Sequence, residues 1–442
     1  MTFRPVSILA LSMVVFLAVA CSGPTSPASP ATAPTNAPSG QSTSAPAAQS
    51  ASAPTAQSAG APSAQSTSTS TGQSTGAPTP VSGINTSSTS SAGGPARMKS
   101  PEAGVQVFLW GSPYVDRDLK LAKNAGFTWI KQMFQWDYIE GAGKGKFAWN
   151  EPDRLVKAAN QAGLKIVARI DWTPAWARPA GAPKEGAWNG PPTNLNDFGD
   201  FIYALVNRYK AGSPNGHIDA YEIWNEPNLA REWGGKPPSA AEYVQLLKVA
   251  YEAAKKADPN SMIISAGLSP TGTLSPDARP DDLYLEEMYK AGAAKYFDVL
   301  GLNAPGYKAP PEMSPDEVAN NKDYGGQRFF DFRHVEDMRQ IMVKNGDEKK
   351  QVAVMEMGWT TDNRPGSPYA WHAVTEQQKG QYIVRAYQWA QKNWSDWIGL
   401  MSTIYISDPH WTVNDEQFYW SITDPDGTPR PSYNIIKGNL PK

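Results

Sequence analysis

An α/β fold is predicted for this chain: eight parallel strands, each followed by a helix, closed into a (β/α)8 barrel of the TIM type. Three observations predict it. Strand-like apolar runs and helical stretches alternate eight times after Arg97. The first turn, Trp110-Gly111-Ser112-Pro113, lacks the Gly-rich signature that an open doubly wound sheet usually carries. Two glutamates, Glu226 and Glu356, follow the apolar runs of strands four and seven, at the carboxyl ends where such barrels carry their chemistry.

The elements follow in order. Val105–Trp110, β-branched and aromatic, reads as strand one and Asp116–Ala125 as the helix after it. Phe127–Phe134 is strand two, with a helix over Glu151–Ala162. Gly126 and Gly163, each just before a strand, suit helix ends. Lys165–Asp171 and Leu195–Lys210 form the third unit, Ile218–Trp224 and Ala240–Ala257 the fourth. Met262–Ala266 with Asp281–Ala291 and Phe297–Asn303 with Phe329–Asn345 are the fifth and sixth. Gln351–Met355 with Thr375–Lys392 is the seventh. Ile398–Ile406 closes the barrel, with a short helix near Tyr433–Lys437.

Ahead of this domain, 97–442, the chain changes character. Cys21–Ala96 holds no charged and no aromatic residue, while all 16 Trp and 18 Tyr lie beyond Arg97. A segment of Ser, Thr, Ala, Pro, Gly and Gln has almost nothing to bury and is expected to be a disordered linker. Its roughly 75 residues would span about 50 Å on root-mean-square average. Residues 1–20 carry Arg4 and then an apolar run, Val6–Ala20, the pattern of a secretory signal rather than a spanning helix. Leu17-Ala18-Val19-Ala20-Cys21 resembles a bacterial lipobox, with Ala18 where Leu is usual. The alternative is ordinary cleavage nearby with a free Cys21. Because the only Cys of the chain falls on the junction, lipidation at Cys21 is the expectation. The protein is then extracytoplasmic, tethered at the cell surface by a lipid anchor.

Composition narrows the partners. A net charge of −2 argues against nucleic acid. The four His (His217, His334, His372, His410) are scattered without metal-ligand spacing, and no Walker loop or Gly-Xaa-Ser-Xaa-Gly elbow occurs. Neither metal nor cofactor is expected, and the protein is expected to be a monomer. The Trp excess fits either a large core or a groove for sugars, whose apolar faces stack on rings.

Tyr221-Glu222-Ile223-Trp224-Asn225-Glu226-Pro227-Asn228 presents a carboxylate where Pro227 stops a ladder, and Met355-Glu356-Met357-Gly358-Trp359 presents a second. Glu222, inside the strand, reads as a structural partner. The two motifs resemble the acid/base and nucleophile motifs of clan A glycoside hydrolases. Phe134-Gln135-Trp136-Asp137-Tyr138-Ile139-Glu140, Thr173-Pro174-Ala175-Trp176-Ala177 and Asp424-Pro425-Asp426-Gly427-Thr428-Pro429 are similar to stretches of its families 39 and 5. The resemblance implies retaining hydrolysis of β-glycosidic bonds in an extracellular carbohydrate, with Glu226 as acid/base and Glu356 as nucleophile. It also implies that Asn225 bonds the sugar 2-hydroxyl.

Where clan members carry Arg near the end of strand two, this chain has Lys131, a point charge. Arg169 either substitutes for that Arg or pairs with Asp171. Strand six ends in Asn303 where relatives have a nearby His. Tyr307 either bonds Glu356 or packs in its loop. Trp136, Trp172, Trp359 and Trp411 at strand ends are candidates to stack on sugars, and Asp408–Trp420 is a candidate groove wall. The competing expectation is a catalytically impaired glycan-binding protein on the same barrel.

Overall fold

The structure, a computed structural model, describes residues 97–186 and 188–441. The signal segment 1–20, Cys21 and the whole of the linker 21–96 lie outside the described residues. Runs of Val, Ile, Leu, Ala and Met give strands β1 (Glu102–Gln106), β2 (Trp129–Met133), β3 (Lys165–Ile170) and β4 (Ala220–Ile223). They continue as β5 (Met262–Ser265), β6 (Val299–Pro305), β7 (Gln351–Gly358) and β8 (Ile398–Thr403). Neighbours pair parallel in sequence order, and β8 closes on β1. The strands are almost wholly buried, as parallel strands covered on both faces must be.

One main helix follows each strand: α1 (Val115–Ala125), α2 (Asn150–Gln161), α3 (Leu195–Tyr209), α4 (Ala240–Ala257), α5 (Asp281–Lys290), α6 (His334–Lys344), α7 (Glu376–Asn393) and α8 (Pro431–Ile436). Their ends are encoded locally. Gly126 closes α1 at φ 103°, its N–H bonding the carbonyls of Ala122 and Lys123. Ser239 caps α4, and Thr375 with Gln378 forms a reciprocal capping box on α7.

The core has two layers. Between strands and helices lies the larger one, including Val105, Ile130, Ile166, Ile223 and Val354. Inside the barrel, Met98, Trp129, Val167, Ala220, Met262, Ile264, Ala353, Met355 and Leu400 fill the volume. Two residues further along β2, β3 and β4, the same inward positions hold Lys131, Arg169 and Glu222. The barrel interior thus turns from apolar to charged toward the carboxyl ends.

Two elements depart from expectation. The ladder of β1 ends at Gln106, although Val107 and Leu109 stay buried: an apolar run reports burial, not pairing. β7 runs on to Gly358, so Glu356 stands within a strand, at a bulge. Leu302 pairs with Val354 but Asn303 with Glu356, skipping Met355. A bulge re-aims side chains. Strict alternation from inward-facing Met355 would send Glu356 to the outer layer; the extra residue turns it inward.

Candidate active site

The fourth strand delivers Glu226 through a strained turn. Trp224 has φ 78° and Glu226 φ 37°, and the other non-glycine residues with positive φ, among those described, are Trp172 and Tyr307. Each costs ~1–3 kcal/mol, and such strain clusters at functional sites. The turn is held from all sides. The Trp224 indole donates to the Glu232 carbonyl at 2.7 Å, and the Glu226 N–H donates to the Gly267 carbonyl at 3.1 Å. The Asn228 amide donates to the carbonyls of Ser269 and Arg279.

Glu226 and Glu356 line one pocket of about 1000 Å³, counting its open mouth. Trp172 and Phe108 contribute rings to its wall, and Trp411, Glu416, Gln417 and Trp420 come from the segment after β8. Behind Glu356 sits a buried cluster of alternating charge. Its Oε1 lies 3.1 Å from Lys131 Nζ and 3.6 Å from Arg169 Nη1. Lys131 also lies 3.2 Å from Glu222, and Arg169 Nε 3.0 Å from Asp171. Of the two alternatives for Arg169, the structure realises both.

The two carboxyls sit in different surroundings. Two cations face Glu356, whose side chain is 17% exposed. Glu226 is almost fully buried. Its Oε1 accepts from the Asn303 amide at 3.0 Å and its Oε2 from Arg231 at 2.6 Å. Burial raises its pKa above the ordinary carboxylate value, against the pull of Arg231; the charges of Glu356 and Glu232 add to the rise. Asp171 and Asp137 are also raised by burial, to about 6 and about 7; the Asp171 charge adds to the rise of Asp137, while Arg169 opposes that of Asp171. Among the described residues no group of His, Cys, Asp and Glu is arranged to hold a metal ion.

Of the sequence-stated candidates, Glu226, Glu356, Trp172 and Trp411 meet at the pocket, and the segment Asp408–Trp420 forms part of its wall. Asn225 is buried beside it, its carbonyl accepting from Arg169 at 3.2 Å. Four expectations are corrected. Trp136 is fully buried, with its indole on Glu140 and its ring against Phe198 and Phe201, so it offers no face to a sugar. Trp359 is also fully buried, bonding the Ala309 carbonyl. It packs so closely on Gly306 that a Cβ there would fall 1.9 Å from the ring. Tyr307 packs in its loop and bonds the Pro270 carbonyl, not Glu356. Lys131 is 1% exposed and touches carboxylates, so it serves Glu356 rather than a sugar.

Sequence reasoning missed Arg231, Phe108 and Tyr405. An Arg five residues past Glu226 was the one available signal, and spacing alone does not show that its turn folds back onto that carboxyl.

The comparisons agree with this geometry. A family model described as Cellulase (glycosyl hydrolase family 5) matches residues 73–291. A beta-xylosidase from Geobacillus stearothermophilus is 25% identical over 164 residues, 34% of this chain and 32% of the relative. The chain therefore matches about a third of that protein's length. A family 39 glycoside hydrolase from Bacteroides cellulosilyticus WH2 superimposes with a TM-score of 0.54 at 19% identity, over 76% of this chain and 64% of that one. A family 39 β-xylosidase from Caulobacter crescentus gives 0.51 at 18%, over 79% and 72%. A subfamily GH5_18 protein from Streptomyces cattleya, solved with GlcNAc, gives 0.55 at 12%, over 77% and 80%. The structural likenesses show the barrel, and the family model and the sequence relative make the chain similar to glycoside hydrolases of clan A, of the family 5 and family 39 type.

Proposed function

We propose that the protein is a retaining hydrolase of β-glycosidic bonds in an extracellular oligo- or polysaccharide, acting as a monomer. Glu226 is its acid/base and Glu356 its nucleophile. The observation that carries this reading is that carboxyls following β4 and on β7 share one pocket in contrasting surroundings, one buried with its pKa raised, the other facing two cations. Retention needs the two carboxyls only about 5–5.5 Å apart, so that one reaches the anomeric carbon directly.

In the first step Glu226 passes its proton to the glycosidic oxygen as the bond to the anomeric carbon breaks. Glu356 forms a bond to that carbon, giving a covalent glycosyl-enzyme. In the second step Glu226, now a carboxylate, takes a proton from water, which displaces Glu356. Asn225, oriented by Arg169, is placed to bond the 2-hydroxyl, and Trp172 and Trp411 offer ring faces to the sugar. The beta-xylosidase and cellulase relatives make β-linked xylosides and glucans the first substrates to screen.

Glu226→Ala tests the acid/base role. Hydrolysis of oligosaccharides is expected to fall by about 10²–10⁴, and much less on a dinitrophenyl glycoside, whose leaving group needs no proton. Added azide should restore turnover and yield a β-glycosyl azide; wild-type rates without azide would reject the role. For location, we propose export and lipid anchoring through Cys21. Cys21→Ala is expected to lose incorporated palmitate and to leave the membrane fraction, and continued membrane association would refute the anchor.

A further inference from the structure

Glu226 presents no idle oxygen. Oε1 takes the Asn303 amide hydrogen and Oε2 takes Arg231 Nη2 at 2.6 Å. Arg231 stands on a single 3₁₀ turn, Ala230–Glu232, that folds back from the strand end. Its Nε donates to Glu232 Oε1 at 3.3 Å. Glu232 is fixed in turn: its Oε2 accepts from the Asn189 amide at 2.6 Å, and its carbonyl holds the Trp224 indole. Arg231 therefore reaches Glu226 from an anchored platform, with 29% of its side chain exposed to the pocket.

An acid/base must hold a proton in one half of the cycle and be a carboxylate in the other. A guanidinium bond to one oxygen is strongest when that oxygen is charged. The contact therefore favours the state of Glu226 that follows proton donation and precedes proton abstraction from water. Opposing it are burial and the negative charges of Glu232, on the same loop, and Glu356 from β7. Other charged or titratable neighbours include Tyr307, after β6, and Tyr405, after β8, which feel the Glu226 charge, and Tyr369, which feels that of Arg231; Arg169 and Glu416 line the same pocket. Asn303 from β6 completes the surround.

We propose that Arg231 is the positioning residue of Glu226: it grips one carboxyl oxygen at the pocket wall and thereby sets how the group divides between giving and taking a proton. The proposal rests on Glu226 being the acid/base. Arg231 moves no electrons itself. In the first step the Glu226 proton goes to the leaving oxygen while the Arg231 bond tightens on the new carboxylate. In the second, a water proton returns to Glu226 and that bond slackens.

The test is the pH dependence of the full chain on xylo- and cello-oligosaccharides and on 4-nitrophenyl β-xyloside and β-glucoside. In Arg231→Gln the alkaline limb of kcat/KM on oligosaccharides is expected to move up by about one pH unit, a tenfold change in proton affinity. The acid limb of kcat on the nitrophenyl glycosides, where water must be deprotonated, should move up with it. Arg231→Lys keeps the charge and should stay near wild type. Glu232→Gln removes an opposing charge and should move the alkaline limb down, which keeps the proposal testable if Arg231→Gln does not fold. A folded Arg231→Gln, or a Glu232→Gln, with an unmoved limb overturns it. Glu226→Ala separates the two failures. If that variant needs azide while the limbs do not move, only the role of Arg231 falls. If it hydrolyses oligosaccharides normally, the acid/base assignment falls and the Arg231 proposal with it.

Discussion

Glu356→Gln is expected to lower hydrolysis of any substrate by at least about 10⁴-fold, the scale seen when a nucleophile is removed, while leaving the protein folded. Gln has the shape of Glu but not its charge. An amide oxygen is too poor a nucleophile to form the glycosyl bond. Glu226 belongs to the opposite side of the reacting bond; Glu222 lies behind, fully buried and paired with Lys131. Stability should change little. Glu356 is partly exposed, and its two cations keep their other partners, Lys131 on Glu222 and Arg169 on Asp171. Binding should also persist, because the rings of Trp172 and Trp411 are untouched. Oligosaccharide should still change the tryptophan fluorescence of the variant. Unchanged hydrolysis would reject Glu356 as the nucleophile. If the wild type bound glycans but hydrolysed none across the panel, the protein would be a binding module on a clan A barrel.

The barrel was legible because its signal is redundant. Eight apolar runs separated by amphipathic stretches leave few ways to bury every run, and α4 matches its sequence expectation residue for residue. The two glutamates were legible because Pro227 and the Gly-Trp after Met357 break the runs at the right face. What was not legible is direction. Trp136, Trp172 and Trp359 all stand at strand ends, yet only Trp172 lines the pocket, and its φ of 62° is a backbone choice that composition does not announce. Gly306 leaves the space that lets Trp359 turn inward. The inward aim of Glu356 comes from one skipped residue in the β6–β7 register, which alternation cannot foresee. Arg231 was missed for the same reason: its partner is five residues away along the chain but is reached only through a tight turn.

Lys131→Met should be among the most destabilising single changes in the barrel, because it removes one cation from between the buried carboxylate of Glu222 and the partly exposed one of Glu356. Lys131 is 1% exposed and Glu222 is fully buried. Removing one partner of a buried pair leaves the other charge uncompensated, at a cost of about 3–5 kcal/mol. Arg169 offsets part of this, since its charge also favours ionised Glu222. The remainder can be relieved by protonation. The pKa of Glu222 is already raised, first by burial and then by Glu356, with Lys131 and Arg169 opposing the rise. Without Lys131 it rises further. A carboxyl whose pKa is higher folded than unfolded binds its proton more tightly in the native state, so stability falls as pH rises from the unfolded value toward the folded one. The deficit of Lys131→Met relative to wild type should therefore grow as pH rises through and above the raised folded pKa of Glu222. Thermal or urea unfolding at several pH values measures it. Activity should drop as well, since Glu356 loses the nearer of its two cations. Lys131→Arg, the residue usual in the clan, should recover most of both losses, less the ~1–3 kcal/mol that a larger side chain costs in a filled site. A Lys131→Met protein as stable as wild type at pH 8 would mean that the buried Glu222 does not depend on this cation, and that the alternating charge under the pocket is not what holds this part of the barrel together.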